Sequence, residues 1–126
     1  MKDQEIYAAI GQTLYDEVGY IDDCISLSAC AVADQNSVDT SVWKGEYLDA
    51  FSSVRLSNKA SLEIHMLVVQ LKKYFEMESM GIWNLILYKL APHGNSFSVD
   101  FEFSEDVEKG NMTLYRYRQR YRRPKS

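Results

Sequence analysis

The residues best suited to acid–base chemistry are two carboxylates on one predicted strand. Asp100 and Glu102 alternate with apolar residues, and alternate residues of a strand project to the same face about 6 to 7 Å apart. Carboxylate pairs at comparable spacing act as acid and nucleophile in glycosidases. A solvated outer face opposite an aromatic inner face gives the same pattern. We favour this second interpretation, because nothing else in the sequence indicates a substrate pocket.

The second kind of chemistry to consider is that of cysteine and histidine. Cys24 and Cys30 lie in one predicted strand, about 20 Å apart if the strand is extended, so they do not bridge within it. A thiolate paired with His65 is conceivable, but strand cysteines are more often small buried residues. His65 lies off the apolar stripe of its predicted helix, and the chain has no CxxC or HxxxH spacing. We therefore expect no catalytic residues, no metal site and no cofactor.

Hydrophobic periodicity predicts the elements that would position these residues. Helical spacing runs from Ile6 to Val18 and is expected to end near Gly19. Period-two alternation from Cys24 to Ala33 predicts a strand, residues 34–37 supply a turn, and a second strand follows from Val38 to Tyr47. The first half of the chain is therefore expected to be a helix and a hairpin.

The second half repeats this order. A second helix is expected after Ser57 or Asn58, either of which can cap it, and before Gly81. A continuous apolar run from Ile82 to Leu90 is followed by a turn at 91–95 and then by an alternating strand. Beyond Gly110 helical and extended patterns both fit, with helix slightly favoured. The chain is thus predicted to be one α+β domain over 1–126, in the order α-β-β-α-β-β-tail, with an antiparallel sheet of two hairpins and helices packed on one face.

The charge is distributed very unevenly along the chain. Residues 1–110 hold all 18 acids and 8 of the 14 bases, a formal charge of −10, whereas 111–126 carry six bases and no acid. Tyrosines interleave with these bases, so the segment could bind phosphates and stack on bases. An acidic body would repel the same polyanion within a Debye length of about 10 Å. We favour a segment 111–126 that packs on the body through its tyrosines.

Acidic and aromatic residues form two candidate contact surfaces. Five acids within nine residues create a directional negative potential that attracts cationic partners; they are Asp100, Glu102, Glu105, Asp106 and Glu108. Trp43 and Tyr47, with acids nearby, would suit an aromatic anchor with a charged rim, or equally the core. A surface kept soluble by charge is the alternative explanation of the acids.

The central part of the sequence resembles a known family. The segments 81–90, 92–97 and 99–103 resemble the signature region of YezG-like immunity proteins: a tryptophan opening a strand, a glycine-containing turn and an acidic-aromatic strand. The helix with Leu14 to Val18 precedes them in the same order, and 112–118 resembles the family's closing aromatic-basic segment. The stretch 38–56 carries no distinctive motif.

The resemblance implies an antitoxin-like immunity protein, made beside a polymorphic bacterial toxin of contact-dependent or secretion systems. Such a toxin is often a nuclease, and the immunity protein neutralises it by tight binding in the cytoplasm. The five acids would then be the toxin contacts, with Trp43 and Tyr47 as a second patch. The N-terminus lacks a cationic stretch followed by an apolar run, which also favours a cytoplasmic protein away from the membrane. The alternatives are a nucleic-acid-binding module using the basic segment, or a small hydrolase.

Overall fold

The computed structural model describes residues 2–19, 22–31, 38–49, 51–92 and 96–122. Two long helices and two hairpins alternate along the chain, as the periodicity predicts. The elements are α1 (Lys2–Val18), β1 (Ile25–Ala31), β2 (Val38–Lys44), β3 (Ser53–Val54), α2 (Asn58–Met77), β4 (Leu85–Leu90), β5 (Phe97–Glu102), α3 (Glu105–Glu108) and α4 (Leu114–Gln119).

The strands form one five-stranded antiparallel sheet in the order β3-β2-β1-β4-β5. The two predicted hairpins are β1–β2 and β4–β5, joined because β1 pairs with β4 at the centre. The register places Leu27 opposite Val42 on one side and opposite Tyr88 on the other. Such a sheet has two free edges, at β3 and at β5.

Helices α1 and α2 cover one face of the sheet. Their apolar stripes meet the alternate residues of β1 and β4 that point the same way, and the core includes Ile10, Leu14, Ile64 and Leu71, all fully buried. Ser57 starts α2 as its N-cap, where its side chain accepts the Ala60 N–H (3.1 Å). This capping and the end of α1 at Val18 confirm the predicted boundaries.

The C-terminal segment covers the opposite face. Tyr117 of α4 is buried against Leu85 and Val107, and its hydroxyl hydrogen-bonds to the hydroxyl of Ser28 on β1. Tyr121 packs on Trp43 with ring centroids 5.2 Å apart. The sheet therefore lies between two long helices on one side and α3 with α4 on the other.

The predicted α+β class, antiparallel sheet and element order are confirmed, and so is the helical preference of the tail. Two elements are additional, the two-residue strand β3 and the short helix α3. The helices do not all pack on one face as predicted, because α3 and α4 cover the second face of the sheet. The predicted turn 34–37 and most of the turn 91–95 lie outside the described residues. None of the described helices is long and apolar enough to cross a membrane.

Candidate functional site

Strand β5 forms a free edge of the sheet, beside which no further strand lies in the described part of the chain. The Ala91 N–H donates to the Ser96 carbonyl (2.9 Å), which fixes the hydrogen-bonding phase of the β4–β5 ladder. The backbone N–H and C=O groups of Phe97, Val99 and Phe101 consequently point away from the sheet. An edge of this kind is a ready template for pairing with another chain.

Helix α3 is fastened to the end of this edge by Asn84. The fully buried Asn84 side chain donates to the Ser104 carbonyl (2.8 Å) and accepts the Ser104 N–H (2.9 Å). Ser104 is in turn the N-cap of α3, and Val107 anchors that helix in the core of the second face. These contacts fix the direction in which α3 presents its acidic residues.

The structure brings the five predicted acids together at this end of the sheet. Asp100, Glu102, Glu105 and Asp106 are exposed and Glu108 is half-buried. Glu102 forms an ion pair with Arg120 (2.5 Å), whose pKa is raised by that hydrogen bond, and Glu105 lies 3.9 Å from Lys109. Five acids against two paired cations leave a local formal charge of −3.

Exposed apolar residues lie at the end of α2, before β4 and on or directly after β5, and they include Phe101 and Phe103, which the alternation predicted to be on a buried inner face. Met77 and Ile82 are 81% and 70% exposed, and Met80, Phe101 and Phe103 are about 40% exposed. Phe101 is tied to the segment that holds the methionines and Ile82, because its ring lies 4.9 Å from that of Phe75 and 5.1 Å from that of Trp83. We call these five residues with the five acids the apolar-acidic surface. The sequence signal that could have indicated these exposed apolar residues is the pair Met77 and Met80, since flexible thioethers are common on binding surfaces.

The prediction that Trp43 is a surface anchor is wrong. Its side chain is fully buried beneath Tyr121, so no partner reaches it while the C-terminal segment is in place. Tyr47 is 37% exposed, but it follows Glu46, which pairs with Lys89 (2.8 Å). Lys89 is two residues along β4 from Leu87, the neighbour of Asp100, and four from Leu85, the neighbour of Glu102, so it lies roughly 7 to 13 Å from these acids along the strand. Tyr47 as a contact residue stays a prediction.

The geometry offers little to the catalytic alternatives. Burial raises the pKa of both Cys24 and Cys30, which keeps the thiols protonated at neutral pH. The carboxylate of Glu102, one of the two acids considered for acid–base chemistry, is bound to Arg120. Among the described residues no three His, Cys, Asp or Glu side chains are grouped so that they could hold a metal ion.

The described part of the basic segment, residues 111–122, packs on the sheet through Tyr117 and Tyr121. Tyr117 is buried and Tyr121 is half-buried against Trp43, so neither ring is free to stack on a nucleic-acid base. Burial raises the pKa of Tyr117 well above its ordinary value, partly offset by the hydrogen bond to Ser28. Among the described residues of this segment, three exposed arginines form no ion pair, namely Arg116, Arg118 and Arg122.

Comparison of the sequence with protein-family models and with curated proteins finds no match.

Proposed function

We propose that this chain binds a cationic partner protein through the apolar-acidic surface, and that the partner is a cognate toxin, in keeping with the resemblance to YezG-like immunity proteins. The observation that supports this proposal is that five exposed apolar side chains and five acids lie on and near the free edge strand β5, the phenylalanines and the acids of β5 on its opposite faces. Apolar side chains exclude water at the centre of an interface, and charges at its rim steer the encounter.

Charge complementarity identifies the kind of partner. A nuclease has a basic groove because its substrate is a polyanion. An acidic surface of local charge −3, on a body of −10, is attracted to such a groove and can occupy it as a phosphate mimic. The free edge of β5 adds backbone groups that can pair with a strand of the partner. This function requires no catalytic residue, cofactor or metal, and it places the protein in the cytoplasm with its toxin.

The first experiment is growth rescue and co-purification with the protein encoded next to this chain. The neighbour is expressed with and without this protein. Toxicity of the neighbour alone, relieved by a stable complex, supports the proposal. A harmless neighbour that does not bind contradicts it.

A charge-reversal pair then tests the surface itself. The test variant changes Asp100, Glu105 and Asp106 to Lys and spares Glu102, which is tied to Arg120. The matched control changes three other exposed acids to Lys, namely Glu5, Asp16 and Glu63. We expect the test variant to weaken the complex at least 100-fold and the control less than tenfold, with both proteins folded. Equal losses in the two variants would show that net charge, and not this surface, governs binding.

The apolar part is tested in the same way. Ile82→Ala with Phe103→Ala removes two of its five apolar side chains, and Leu62→Ala, at a residue 61% exposed on α2, is the control. We expect the first variant to accelerate dissociation of the complex, since buried anchors act mainly on the dissociation rate. An unchanged dissociation rate would exclude the apolar residues from the interface.

A further inference from the structure

A groove at the opposite edge of the sheet carries a net positive charge, whereas the molecule as a whole is negative. It has a volume of about 470 Å³ and lies where β3 ends and leaves part of the β2 edge open. Arg55 reaches it from the connection between β3 and α2, and Arg118 and Arg122 reach it from α4 and the residues after it. Arginines from two distant parts of the chain thus converge on one basic groove.

The arginines of the groove are not engaged elsewhere in the described part of the chain. The ion pairs formed there are Lys89–Glu46, Lys109–Glu105 and Arg120–Glu102. Asp49 is the single acid that lines the groove, and its carboxylate already accepts the N–H groups of Phe51 and Ser52 (both 3.1 Å). Three arginines and one acid give the groove a formal charge of +2.

Neutral donors complete the lining. Asn58 and Ser61 contribute from the first turn of α2, and Ser41 contributes from β2. The Ser41 hydroxyl oxygen is buried and has no hydrogen-bond partner among the described residues, a costly arrangement that a bound acceptor would relieve. The Thr40 N–H points to the same open edge, because the Lys44 N–H donates to Ser52 on that side and strand residues alternate.

The C-terminal arginines are held in place by packing. Tyr121 lies between Arg118 and Arg122 in the sequence, packs on Trp43, and accepts the Leu48 N–H through its carbonyl (2.7 Å). The end of α4 is therefore fixed beside the loop that forms one wall of the groove. A site with its arginines positioned in this way loses less conformational entropy on binding an anion.

We propose that this groove binds a phosphate-bearing ligand of nucleotide size. Guanidinium groups match phosphate oxygens in pairs, and a charge of +2 balances a doubly charged phosphate. The volume is within the range of small-molecule sites, about 300 to 1,000 Å³. A long nucleic acid is less suited, because beyond the groove it would meet a body of charge −10. This site is independent of the toxin-binding surface.

The test is calorimetric titration of the full chain at low salt with ADP, with inorganic phosphate, and with a 12-nucleotide single-stranded DNA. The test variant is Arg118→Ala with Arg122→Ala. The control is Arg116→Ala with Lys109→Ala, which removes the same charge from two exposed residues outside the groove. Arg55→Ala probes the groove from another element, in case the double variant is unstable.

We expect saturable binding of ADP that weakens at least tenfold in the test variant and in Arg55→Ala, and by less than twofold in the control. Binding of inorganic phosphate alone, lost in the same variants, would support the site and assign it to the phosphate group. The proposal is overturned by the absence of binding to ADP and phosphate, by equal losses in the test and control variants, or by binding of the DNA without ADP, which would favour a nucleic-acid module.

Discussion

Asn84 forms four hydrogen bonds that join several elements of the structure. Its main-chain carbonyl accepts the Ala31 N–H (2.8 Å), and its main-chain N–H donates to the Glu102 carbonyl (3.1 Å). Its side-chain amide makes both bonds to Ser104. A single buried residue thus joins β1, β4, β5 and the start of α3. The side chain must offer one donor and one acceptor at once, which an amide does and a carboxylate does not.

Asn84→Asp tests this requirement. The introduced carboxylate still accepts the Ser104 N–H but faces the Ser104 carbonyl with a lone pair, in a fully buried position. We expect a loss of roughly 2 to 4 kcal/mol in the free energy of unfolding at pH 8, measured by urea denaturation.

The pH dependence of this variant separates the lost donor from a general packing defect. Burial raises the pKa of the introduced carboxyl above its unfolded value of about 3.9, and the protonated form can donate again. Its stabilising contribution is therefore present at low pH and lost as the pH rises through the folded-state pKa. The difference from the wild type should shrink between pH 8 and pH 5, whereas that of Asn84→Ala should stay constant. A constant difference in both variants would contradict the argument.

Helix α1 lies close against the sheet at Gly11. The hydroxyl of the fully buried Tyr88 donates to the Tyr7 carbonyl on α1 (2.8 Å), one turn before Gly11. A Cβ atom at Gly11 would lie 2.6 Å from that hydroxyl oxygen and 3.2 Å from a methyl group of Leu90. The helix and the sheet thus meet through a tyrosine that fits because residue 11 has no side chain.

Gly11→Ala should therefore destabilise the protein despite the better helix propensity of alanine. The propensity gain is about 1 kcal/mol, and forcing a methyl group into a packed core costs about 1 to 3 kcal/mol. We expect a net loss of about 1 kcal/mol in the free energy of unfolding, measured by urea denaturation. Combined with Tyr88→Phe, which removes the clashing oxygen, the substitution should become neutral or stabilising. A loss of the same size in both backgrounds would exclude the clash.

The element boundaries were more predictable from the sequence than the second core. Residues 82–90 gave no one-sided pattern because β4 is covered on both faces, by α1 and α2 at Ile86 and by the C-terminal segment at Leu85. Ser26 and Ser28 indicated a polar outer face, although both are fully buried where their small side chains leave room for larger ones from other elements. The sequence left open whether Trp43 is a core or a surface residue for the same reason, because Tyr121 from a distant part of the chain covers it.

The candidate site was predictable only in part. The acids were recognisable as a cluster because they are close in sequence. The apolar half of the surface comes from the end of α2, the connection to β4, β5 and the residue after β5, and the groove combines residues from 40 to 122. Such combinations depend on which strands are neighbours, and periodicity carries no information about the order of strands in a sheet.

In the whole molecule, the acidic cluster and the basic groove lie at different edges of the sheet. The acids gather beyond β5, and the basic groove lies at β2 and β3, so a single protein can present a negative and a positive surface to separate ligands. The C-terminal segment contributes to both, because Arg120 pairs with Glu102 while Arg118 and Arg122 line the groove. This arrangement requires the segment to be a structural layer and not a detachable basic tail.

The structural role of the segment predicts that its tyrosines matter for folding and its exposed arginines do not. Tyr117→Ala removes a buried aromatic ring and leaves the Ser28 hydroxyl without its partner, so we expect a loss of about 3 to 5 kcal/mol in the free energy of unfolding. Arg116→Ala, one residue away and exposed, should change it by less than about 0.5 kcal/mol. Urea denaturation followed by tryptophan fluorescence measures both, since Trp43 lies under Tyr121. A detachable tail would make both substitutions neutral, and then the arginine groove, which depends on α4 being docked, would be lost as well.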